Sequence, residues 1–110
     1  MPLERDLKRA GCPPLESYEV LRAIEESGET PLRLMDLQTR LAVPRNRMSR
    51  LVDRLVKEGY IEREKAVSDK KGHFVVITEM GRRASKDASS VLLAALQQFF
   101  YGKKREEPGD

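Results

Sequence analysis

Along the 110-residue chain, apolar residues recur at helical spacing five times, with one break where the period changes. Leu3 and Leu7 mark a short helix over Leu3–Ala10, which Gly11-Cys12-Pro13-Pro14 interrupts. Tyr18, Leu21 and Ile24, with Val20 and Leu15 beside them, predict a helix over Pro14–Ser27 that Gly28 closes. Leu34, Leu37 and Leu41 predict a third helix, with Thr30 as its N-cap and Pro31 at its first position. Met48, Leu51, Val52 and Leu55 then define the apolar stripe of a fourth, about 44–58, opening at Pro44 and ending at Gly59.

After Gly59 the chain reads as strand. Tyr60–Val67 is β-compatible at both ends, and Phe74–Thr78 is Phe-Val-Val-Ile-Thr, a strong β-former run. Ser68-Asp69-Lys70-Lys71-Gly72-His73 between them is a charged hairpin tip. Thr78 caps a last helix running to about Tyr101. Its second half, Val91 to Tyr101, is mostly apolar, and positions 91 to 96 are apolar on every side, which one small domain cannot bury alone. Val91, Leu92, Ala95, Leu96, Phe99 and Phe100, joined by Leu3 and Leu7, are therefore expected at an interface with a second copy.

These elements describe a mainly α fold with a small β-hairpin (α+β). It is a winged helix-turn-helix with a long C-terminal dimerisation helix. Residues 1–13 form a short helical segment, 14–80 the winged domain, 81–101 the dimerisation helix and 102–110 a charged tail.

Charge adds what periodicity cannot. The net charge is only +3, but its distribution is uneven. Arg40, Arg45, Arg47, Arg50, Arg54 and Lys57 stand against Asp53 alone, a net of +5 in eighteen residues. Leu15–Thr30 carries net −4, with five glutamates against Arg22. At about 100° per residue, Asn46, Arg50, Asp53 and Lys57 lie opposite the apolar stripe. A helix that is half core and half cationic surface is suited to lie on a polyanion, and a chain with one acidic and one basic face orients itself in DNA's field.

Arg47, Asn46, Ser49 and Arg50 are the candidates for base edges, since arginine grips guanine and asparagine adenine bidentately. Arg40, Arg45, Arg54, Lys70 and His73 complete the expected DNA-binding set, with Lys57 a further phosphate contact.

Other chemistries find little footing. No Gly-rich phosphate loop, nucleophile–histidine pair or carboxylate pair in an apolar setting suggests an enzyme. His73 is the only histidine and Cys12 the only cysteine, so neither a metal site, a disulfide nor a bound cofactor is expected. No apolar run reaches the ~20 residues that span a bilayer, and no signal-peptide pattern opens the chain. A cytoplasmic, nucleoid-associated protein is expected.

The sequence resembles the MarR (multiple-antibiotic-resistance regulator) family of bacterial and archaeal transcription factors over roughly Ser17–Gly81. The likeness rests on Tyr18-Glu-Val-Leu21, Asp36-Leu37 with Leu41, Arg50-Leu-Val-Asp-Arg-Leu55 and Gly59-Tyr-Ile-Glu-Arg63. It continues in Asp69-Lys-Lys-Gly72, Val75, Ile77-Thr78 and Gly81. The resemblance implies that Pro44–Arg54 enters the major groove. It also implies that Lys71, where the family usually has arginine, reaches the minor groove, steadied by Asp69.

The sequence departs from the pattern where Pro44 replaces a serine cap and Arg47-Met48 replace a threonine-valine pair. The resemblance further implies a homodimeric, sequence-specific regulator of a pseudo-palindromic double-stranded DNA operator, more often a repressor. A small aromatic effector, which such regulators accept, finds no support in the residues themselves. Two other readings of the residues stay open: a winged-helix protein-interaction module, and a low-specificity nucleoid-type DNA binder.

Overall fold

A computed structural model describes residues 2–65 and 73–106. The expected wing tip, with Asp69, Lys70 and Lys71, lies outside the described residues. Seven elements follow in order: α1 (Pro2–Arg9), α2 (Leu15–Glu26), α3 (Leu34–Leu41), α4 (Arg45–Lys57), β1 (Ile61–Lys65), β2 (His73–Ile77) and α5 (Glu79–Glu106). The chain measures 66 × 25 × 24 Å, because α5, 28 residues long, runs well past the rest.

The apolar stripes converge as their spacing requires. Val20, Leu21 and Ile24 of α2, Leu37 of α3, and Met48, Leu51, Val52 and Leu55 of α4 form one buried cluster. Ile61, Val75 and Ala84 close it from the strands and from α5. Tyr18, expected in this core, is only half-buried. Its hydroxyl is 2.8 Å from Ser89 Oγ, where it ties α2 to α5 without leaving a polar group stranded inside.

β1 and β2 pair antiparallel, from Ile61 opposite Ile77 to Lys65 opposite His73. A third segment joins them: Leu32 bridges Val75, whose N–H donates to the Leu32 carbonyl at 2.8 Å. That bridge displaces the expected start of α3. Leu32 is extended and buried, so the helix cannot begin at Pro31. Thr30 instead belongs to the turn that ends α2, its N–H bonded to the Ser27 carbonyl. Arg33 is the N-cap, and Asp36 reaches back to accept its N–H at 2.9 Å. The Arg33 guanidinium sits over the Phe74 ring, 5.3 Å from its centre, pinning the start of α3 to β2.

Pro44 is likewise one position off expectation. Its ψ of 151° makes it the N-cap, and Arg45 is the first helical residue. Ala42, which ends α3, sits in the left-handed region at φ 54°. Thr78 caps α5 as expected, accepting the Gly81 N–H at 3.0 Å while donating to the Gly59 carbonyl at 2.6 Å. One hydroxyl thus joins the end of α4 to the start of α5.

Candidate nucleic-acid interface

Helix α4 is held by its apolar stripe, so its remaining faces are presented by default. Met48, Leu51, Val52 and Leu55 are buried, whereas Arg45, Asn46, Arg47, Arg50, Asp53, Arg54 and Lys57 are exposed and Ser49 is half-buried. Pairing α3 with α4 through the Ala42-Val43 turn gives the helix-turn-helix, and β1–β2 follows as the wing. Arg40, exposed at the end of α3, donates to the Ala23 carbonyl at 3.4 Å. His73 is exposed at the start of β2. Lys70 and Lys71 lie outside the described residues.

Several of these cations already have protein partners. Arg47 meets Glu16 of α2 through two contacts, Nε to Oε1 at 2.8 Å and Nη2 to Oε2 at 3.1 Å. Arg54 approaches Glu58 at 3.9 Å, one helical turn on. Asp53, the single acid among the cations of α4, pairs with Arg63 of β1 and so fixes the basic helix against the wing.

Glu16 and Arg63 were not singled out from the sequence as functional. Arg63 had a signal, since it closes the Gly59-Tyr-Ile-Glu-Arg63 stretch. Glu16 had none, because its partner stands 31 positions away.

The expected interface residues divide. Leu96, Phe99 and Phe100 are exposed, and Leu3, Val91, Leu92 and Ala95 are half-buried. Leu3, Leu92, Ala95, Leu96 and Phe99 line an open apolar hollow of about 650 Å³. Leu7 departs from expectation. It is fully buried inside the single chain, beneath the α1–α5 contact, and supports that surface only from within. Leu93 and Tyr101, which belong to the same apolar stretch of the sequence, extend the exposed apolar surface of α5.

Among the described residues no group of three His, Cys, Asp or Glu side chains could hold a metal ion, and no helix is long and apolar enough to cross a membrane.

The family model for the MarR family matches residues 10–72, more than half of the chain. The chain belongs to the MarR family. Solved structures of MarR regulators superpose on most of it. AbsC of Streptomyces coelicolor, a MarR family transcriptional regulator, is 29% identical with a TM-score of 0.80, over 92% of this chain and 68% of that one. Sco3205 from the same organism, also a MarR family transcriptional regulator, was solved in complex with DNA. It is 32% identical at a TM-score of 0.78, over 87% of this chain and 60% of its own. A cysteine-to-serine mutant of MarR from E. coli shares the fold at a TM-score of 0.82 and 24% identity, over 92% of this chain and 72% of its own. No curated protein matches the chain.

Proposed function

We propose that this MarR-family protein is a sequence-specific, double-stranded DNA-binding transcription regulator. Helix α4 would lie in the major groove and residues 68–73 at the minor groove. The observation that carries this is the division of α4. Four side chains lock it into the core, and an opposite face of arginines, asparagine and lysine stands exposed on a winged helix.

Asn46, Ser49 and Arg50, with Arg47, are the side chains assigned to base edges. Arg40, Arg45, Arg54, Lys57, Lys70 and His73 are assigned to phosphates, and Lys71 to the minor groove. Support also comes from Sco3205, a 32% identical relative solved with DNA.

The protein would act as a homodimer. Leu92, Ala95, Leu96 and Phe99, with Leu3, offer a second copy an open apolar surface, on which Leu96 and Phe99 are more than half exposed. Two α4 helices about 34 Å apart would then read a pseudo-palindromic operator. Repression, the commoner mode in the family, follows if the operator overlaps a promoter. The protein would then reside on the nucleoid.

Selection of duplexes from a random pool, followed by fluorescence anisotropy across a salt series, tests the proposal. A two-fold-symmetric consensus is expected, with affinity falling steeply as salt rises. The five lysines and arginines assigned to phosphates in each copy would give the dimer a log–log slope of roughly −9. Absent or salt-independent binding would refute it. Binding that ignores sequence would leave a low-specificity DNA binder.

A further inference from the structure

Arg47 stands in the first turn of α4, on the shoulder that faces α2, and it is two-thirds exposed. Glu16 grips it by one edge only. The carboxylate takes the Nε–H and one N–H of Nη2. A guanidinium has five N–H donors in a fixed planar fork, so three remain. Two of those are the parallel pair at its far end, the pair that matches guanine O6 and N7. A carboxylate on the side edge therefore leaves the end-on edge open and fixes the plane in which it points.

Glu16 is itself firmly placed. It lies in the first turn of α2, where a negative charge is favoured by the helix dipole. The same helix end is capped from α1, the Leu15 N–H donating to Glu4 Oε1 at 2.8 Å. A long, rotamer-rich arginine normally loses its freedom only on binding. Here much of that ordering is complete before DNA arrives.

We infer that Glu16 is a specificity-determining positioning residue. By holding Arg47 from the side, it aims the free edge of that guanidinium at a guanine in each half-site. The inference rests on the DNA-binding reading above. It separates Glu16 from the phosphate-contacting set, because a carboxylate adds nothing to backbone affinity. Its contribution is confined to discrimination.

The experiment measures affinity for duplexes carrying each of the four bases at every operator position. It compares wild type, Arg47→Ala, Glu16→Ala, the double variant, and Glu19→Ala as a control for losing one acid from α2. Arg47→Ala should lower guanine preference at one position by about ten-fold. Glu16→Ala should lower preference at that same position by roughly three-fold, the double variant should match Arg47→Ala, and Glu19→Ala should change no preference. In the free protein, Glu16→Ala should also shift the Arg47 Nε–H resonance, with the thermal midpoint little changed.

A wild-type profile with no base preference anywhere would refute the DNA-reading proposal itself. Selective wild-type binding with an unaltered profile in Glu16→Ala would overturn the role of Glu16 alone. A uniform rise in affinity at constant preference would do the same, and would identify the carboxylate as a brake.

Discussion

Asp53 on α4 and Arg63 on β1 form an ion pair that fastens the basic helix to the wing, across ten positions of sequence. Both side chains are more than a third exposed, so the pair contributes little to global stability, on the order of 0–1 kcal/mol. Its larger effect is geometric, since in the proposed complex helix and wing meet two grooves at once. Asp53→Ala should shift the unfolding midpoint by no more than a few degrees, yet weaken operator binding by about ten-fold or more. Anisotropy and calorimetry on one preparation check both halves. A loss of stability as large as the loss of binding would contradict it.

The junction between β2 and α5 is far less tolerant. A Cβ on Gly81 would stand 2.1 Å from the Tyr60 carbonyl oxygen and 2.8 Å from Ile77 Cγ1. The first clash is with backbone and cannot be relieved by turning a side chain. Gly81→Ala should therefore cost about 2–4 kcal/mol, read from urea denaturation. Thr78→Ala, which removes the cap and the link to Gly59, should cost about 1–2 kcal/mol, and Thr78→Ser should restore most of it.

Ala42 offers the opposite opportunity. It holds φ 54° at the end of α3, a conformation that crowds its own Cβ and suits glycine. Ala42→Gly should stabilise the protein by roughly 0.5–1 kcal/mol, because the relief of strain exceeds the added freedom of the unfolded chain. An unchanged or lowered urea midpoint would show that the turn is not strained.

Cys12 should be a sluggish thiol. Its pKa is raised, first by burial and then by the negative charge of Asp87, so little thiolate is present near neutrality. Iodoacetamide at pH 8 should alkylate it more slowly than free cysteine, and Asp87→Asn should recover part of the difference. In the folded chain the proton is held where the unfolded chain, with an ordinary cysteine pKa of about 8.5, releases it. The stability tied to Cys12 is therefore fully present below about pH 8.5. It is lost as pH rises from there through the higher folded value.

Charge placed in the exposed apolar surface of α5 should separate the two copies. Sedimentation of the wild type should give twice the 12.6 kDa chain mass, whereas Leu96→Lys with Phe99→Lys should sediment as a single chain. The double substitution should also weaken operator binding by about ten-fold or more, since the linked half-sites no longer reinforce one another. A wild type that stays monomeric at high concentration would remove the basis for a paired operator.

What sequence could reveal divides along the range of the forces involved. Leu34–Leu37–Leu41 and Met48–Leu51–Val52–Leu55 announce their helices because burial on one face imposes its period locally. Thr78 is equally local, and it caps α5 as its neighbours require. The start of α3 is not local. Thr30-Pro31 is a sound opening signal, but Leu32 is claimed by Val75, 43 positions away, and the helix waits until Leu34.

Leu7 misled for a related reason, since an apolar residue on a short helix does not reveal whether its cover comes from its own chain or another. At the candidate site, the cationic face of α4 was legible from charge and spacing. The partners that orient it, Glu16 and Arg63, come from other elements, and only folding brings them into reach.

Tyr18 and Ser89 are joined near the middle of a rod. From Ser89 to Glu106, α5 runs about 26 Å. Pivoting the rod by about 8° at the Tyr18 hydroxyl carries its far end through roughly 3.5 Å, close to the rise of one base pair. In a paired assembly joined along that rod, the distance between the two α4 helices would depend on an angle held by the Tyr18–Ser89 contact together with the Ser85–Glu25 and Thr78–Gly59 hydrogen bonds and the packing of α1 on α5. The molecule is built like a pair of calipers. A few degrees in that angle would decide whether the tips span the repeat of the proposed operator or miss it by a step.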